Sequence, residues 1–67
     1  MNELDLLYEE CQQEAIAAGA LKPQGLMENM SAGVMEYNYG SFANTAVAQN
    51  RLHLWTLEIM RRKGYLN

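Results

Sequence analysis

The chain has 67 residues, 49% hydrophobic and 19% charged, with a formal net charge of −3, a balance that excludes the apolar-poor, charge-rich composition of disorder. Its single cysteine, Cys11, excludes an intrachain disulfide framework, and no apolar run approaches the roughly 18 residues of a membrane span. A domain of this length buries only about 60% of its unfolded surface, so oligomerisation is the expected source of additional stability.

The charge is polarised. Residues 1–21 carry five acids and no base, whereas residues 51–67 carry four bases against one acid. Glu3 and Asp5 stand where a secretion signal would place Lys or Arg, so the expected location is the cytoplasm.

A first helix is predicted over about 3–18, with Asn2 as N-cap and Glu3 and Asp5 complementing the helix dipole. Leu4, Leu7, Tyr8, Cys11, Ala15 and Ala18 form its apolar stripe, with Leu6 and Ile16 outside it. Gly19 is placed to end it in the left-handed conformation. Cys11 reads as a small core hydrophobe.

After the connection Lys22-Pro23-Gln24-Gly25, with Pro23 suited to a first helical turn, a second helix is predicted over about 24–38. Leu26, Met27, Met30, Val34 and Tyr37 share one side. Ala32 and Gly33 mark either a close backbone approach or a break, because a mid-helix glycine costs roughly 1 kcal/mol. Met27, Met30 and Met35 read as core filler, or else as an adaptable binding surface.

A corner at Tyr37-Asn38-Tyr39-Gly40 leads into a third and longest helix, predicted over about 41–63 with Ser41 as N-cap. This helix has two apolar sides. Phe42, Ala43, Ala46, Val47, Leu54, Leu57 and Met60 lie on one, expected to pack on the first two helices with Asn50 fixing register. Ala48, Leu52, Trp55 and Ile59 lie on the other, expected to be the oligomer interface with Trp55 as its anchor. Arg61, Arg62 and Lys63 complement the C-terminal dipole, and Gly64 and Tyr65 fit a Schellman end.

Chemistry-bearing residues are sparse. His53 is the only histidine and Asp5 the only aspartate, so neither a nucleophile with its base nor a zinc ligand set is expected, and the chain reads as a non-enzyme without cofactor or metal. His53 reads as a boundary residue hydrogen-bonded to a neighbour. Ala15 and Gly19 have helix-turn-helix spacing, but Gly25 and Glu28 fall where that motif needs apolar residues, and Glu28 and Glu36 would meet phosphates; nucleic acid is not an expected partner.

The most site-like stretch is the Tyr37–Thr45 corner. Free amides of a Gly-Ser lead into a helix suit an anion, and Tyr37, Tyr39 and Phe42 could stack on a flat ring, with Ser41, Asn44, Thr45 and Arg51 adding polar contacts.

The expectation is thus an all-α three-helix domain with a long C-terminal helix, assembled as a homo-oligomer. Its expected function is non-enzymatic: an inhibitor or adaptor that occupies another macromolecule, of the compact acidic kind that phages and mobile elements encode. The alternatives are an oligomeric binder of a nucleotide-like anion at the Tyr37–Thr45 corner and a nucleic-acid mimic displaying Glu3, Asp5, Glu9, Glu10 and Glu14.

Overall fold

The computed structural model describes residues 2–38 and 42–66, for residues 35–38 the backbone alone. These residues form three α-helices, α1 (Glu3–Ala17), α2 (Gly25–Asn38) and α3 (Ala46–Arg62), with a 3-10 turn at Phe42–Asn44 before α3. No strand occurs among the described residues, and no helix is long and apolar enough to cross a membrane.

Local chemistry fixes the helix ends. The Asn2 side chain accepts the Asp5 backbone N–H at 2.9 Å and so satisfies one of the donors that the first turn of α1 leaves open. At the other end, Gly19 has φ +100°. That conformation lets the Gly19 N–H reach the Ile16 carbonyl and the Ala20 N–H reach the Ala15 carbonyl, both at 3.0 Å, which is the Schellman pattern. Helix α3 ends in the same way. Gly64 has φ +82°, its N–H donates to Arg61, and the Tyr65 N–H donates to Met60.

The start of α3 differs from expectation. Residues 39–41, Ser41 included, lie outside the described residues, and the cap is Thr45, whose hydroxyl accepts the Ala48 N–H at 3.1 Å. Phe42, Ala43 and Asn44 therefore belong to a separate turn. Helix α2 matches its predicted span closely, and Gly33 does not break it.

The core lies between α1 and α3. Cys11 and Ala15 on α1 and Ala20 beyond it are fully buried, as are Ala48 and Thr56 on α3, with Leu52 and Met60 nearly so. Ala48, Leu52, Thr56 and Met60 recur every four residues and form one ridge along α3. Small side chains opposite that ridge let the helices approach closely. Thr56 brings a hydroxyl into this contact, and donates it at 2.7 Å to the Leu52 carbonyl one turn back, so its polar atom is not left without a partner.

This packing redraws the expected sides of α3, although Phe42 and Met60 are buried as expected. Ala48 and Leu52 lie inside the subunit, and Trp55 and Ile59, half-buried, pack against the Ala15–Ala20–Leu52 cluster. Ala48 and Leu52 of the expected interface are therefore core, while Trp55 and Ile59 still line an open groove with Ala18, Glu58 and Arg62. Conversely Val47 and Leu54, expected inside, are 54% and 55% exposed. The reason is steric: Leu52 packs on the small Ala15 and Ala20, and Ala48 on Ala32 and Phe42, so the buried ridge carries small side chains that hydrophobicity alone does not identify.

Helix α2 sits apart. Among the described residues its backbone comes close to the 3-10 turn but not to α1 or α3. A second cluster attaches it: Ala32 packs with Phe42 and Ala48, with Leu21 bridging to the main core.

Candidate functional site

The Tyr37–Thr45 corner does not gather as a ligand site among the described residues. Phe42 is buried against Ala32 and Ala48, so its ring is part of the core. Thr45 caps α3, and Asn44 is exposed. The Tyr37 side chain, Tyr39 and Ser41 fall outside what is described. Arg51, expected to lend charge to the corner, points elsewhere.

Arg51 instead clamps α2 to the body. Its Nη2 lies 2.5 Å from the Glu28 carboxylate and its Nη1 donates to the Lys22 carbonyl at 3.1 Å. Glu28 also accepts the Gln24 backbone N–H at 2.8 Å. The Arg51 guanidinium first, and then the Gln24 N–H, hold the Glu28 carboxyl below the usual carboxylate range. One acid thus ties the loop before α2, the first turn of α2 and the middle of α3 together.

That orientation decides which side of α2 meets water. At 100° per residue Leu26, Met27, Met30 and Val34 fall within about 100° of arc, and Glu28 and Ala32 lie on the opposite side. The Glu28 and Ala32 side is held against the body. Leu26 and Met27 are consequently 76% and 77% exposed, Met30 62% and Val34 60%. Shallow apolar grooves run along this side. One, between α2 and the start of α3, is lined by Met27, Glu28, Ser31, Phe42, Thr45 and Val47, and the next by Met27, Met30, Ser31 and Val34. A helix whose apolar stripe faces outward is the reverse of an ordinary surface helix, and contiguous exposed apolar patches mark contact surfaces.

The sequence already displayed that stripe. Its direction was not visible, because periodicity shows that apolar residues share a side and not which side the rest of the chain covers.

The acidic residues of α1 divide into two groups. Glu3, Asp5, Glu9 and Glu10 are exposed and in no ion pair among the described residues. Glu14 pairs with Lys63 of the same subunit, and that carboxylate holds the Lys63 ammonium above its usual pKa. The head and tail of the chain therefore meet within one subunit at this point. Glu58 pairs with Arg61 and Arg62, and Arg61 chiefly lowers its pKa to about 2.

The remaining chemistry-bearing residues have structural surroundings. The Tyr8 hydroxyl oxygen lies 2.7 Å from Nδ1 of His53, linking the exposed flanks of α1 and α3. Burial pushes the Cys11 thiol above its usual pKa, which keeps it protonated and unreactive at neutral pH. Among the described residues no three His, Cys, Asp or Glu side chains gather as a metal site would require.

No family model, curated protein or solved structure matches the chain.

Proposed function

We propose that the chain is a non-enzymatic interaction protein of the adaptor or inhibitor type, acting by contact with other macromolecules. The apolar side of α2 is its principal protein-contact surface, whether the protein that covers it is a different one or a copy of this chain. The observation that carries this reading is the exposure of Leu26, Met27 and Met30, side by side on a helix whose opposite side is anchored by Arg51–Glu28 and Ala32–Phe42. Burying three such side chains would contribute roughly 1.5–3 kcal/mol each, before the cost of ordering them. Methionines suit the role because their unbranched side chains adapt to the partner.

The test is site-specific photo-cross-linking in cells that make the protein. A photoreactive residue at position 30 should form an adduct with protein, whereas one at Leu6, exposed on α1, serves as the control. Equal yields at the two positions would contradict the assignment of the surface.

The outer side of α1 supports a second reading, the occupation of a basic nucleic-acid-binding surface through Glu3, Asp5, Glu9 and Glu10. Their exposure without ion-pair partners among the described residues favours it. Glu9→Gln with Glu10→Gln should then weaken the salt-sensitive part of binding to such a partner, and unchanged affinity would remove the idea.

A further inference from the structure

We infer that the molecule covering the apolar side of α2 is a second copy of this chain, giving an isologous dimer with α2 against α2; the inference rests on the reading of that side as a contact surface. Two observations select a second copy.

The first is size. The subunit exposes 4889 Å², where a folded monomer of 7.6 kDa is expected to expose about 4,300 Å². The excess of about 600 Å² is of the order of the ~800 Å² that each partner contributes to a standard interface. The radius of gyration agrees: 13.7 Å, against about 11 Å for a compact domain of this length. The subunit is too open for its size because α2 stands away from the α1–α3 core, and closing a second copy over α2 removes that excess.

The second is charge. From Leu26 to Val34 the only charged residue is Glu28, which lies on the inward side and is neutralised by Arg51. Contacts between different proteins are steered and given register by charge complementarity, whereas homodimer interfaces are the more apolar class. A surface whose one acid is already paired within the subunit is also self-compatible, because it brings no unpaired like charges together when it meets itself.

Met27 and Met30, within this surface, are unbranched and adaptable enough to pack on their own copies.

The experiment is sedimentation of the purified full chain, with the mass of the position-30 cross-link as its companion. Wild type should sediment as a dimer, Met30→Glu should weaken association by about tenfold or more because it places a carboxylate in an apolar joint, and Leu6→Glu should sediment as wild type. The position-30 adduct should have twice the subunit mass. A folded monomer at high micromolar concentration, or a dimer indifferent to Met30→Glu, overturns the inference. An adduct of any other mass overturns the second copy while leaving the contact surface standing, and no adduct above the Leu6 control overturns both.

Discussion

Arg51 on α3 and Glu28 on α2 meet at 2.5 Å, and this ion pair, with side chains only 16% and 27% exposed, sets how α2 is presented. Arg51→Met should release the first turn of α2 while leaving the α1–α3 core intact. Hydrogen exchange is the measurement: protection of the α2 amides should fall by roughly tenfold, in keeping with the loss of a charge-assisted hydrogen bond, with no change at Thr56 or Met60. Equal loss in both regions would show that Arg51 supports the whole fold.

Acid should act through the same pair. Glu28 and Glu58 both have folded-state pKa values below the unfolded ones, so each contributes stability that is fully present above the unfolded carboxylate range, near pH 4.3, and is lost as pH falls through the folded value, which for Glu58 is about 2. The melting temperature is expected to hold between pH 5 and 7 and to fall below about pH 4.5. Glu28→Gln should lessen that fall. Because Glu58 is well exposed, its share is reduced by solvent, and Glu58→Gln should have the smaller effect.

The two sides of α3 are separable by truncation. Among the described residues Met60 is the largest fully buried side chain, and Leu54 is 55% exposed. Met60→Ala should cost about 2–4 kcal/mol in chemical denaturation through lost burial and a residual cavity, and Leu54→Ala less than about 1 kcal/mol. Similar costs would mean that Leu54 is as buried as Met60.

That pair also shows how much of the molecule was legible in the sequence. Helix number, spans to within a few residues, the Asn2 cap and both glycine-terminated ends follow from local signals, each confined to a few neighbouring residues. The start of α3 was misplaced because Ser41 and Thr45 are both competent caps, and only the turn at Phe42–Asn44 distinguishes them. The inner side of α3 was misassigned in part, Phe42 and Met60 being buried as expected, for a different reason: Ala48 and Thr56 carry little hydrophobic signal, and Ala48 is buried by Ala32 and Phe42, which lie on other elements. The outward direction of the α2 stripe depends on Arg51, 23 residues away from Glu28, a pairing that no local pattern encodes.

Cys11 provides a probe of opening. Its thiol is fully buried and its pKa raised, so reaction with a disulfide reagent at neutral pH should proceed only as fast as α1 opens from α3, and should accelerate with denaturant. The sign of the pH effect is opposite to that of the acids. The contribution of Cys11 is fully present below its unfolded pKa and declines as pH rises through the folded value, above about pH 9. A thiol that reacts at the rate of a free peptide would contradict its place in the core.

The most direct measurement of the central claim is the solution mass of the unmodified chain by light scattering at about 100 μM, a concentration at which a micromolar dimer is nearly complete. The account predicts twice 7.6 kDa, shifting to the subunit mass in Met30→Glu with helical content retained. A wild-type mass of 7.6 kDa with full helical content would contradict it.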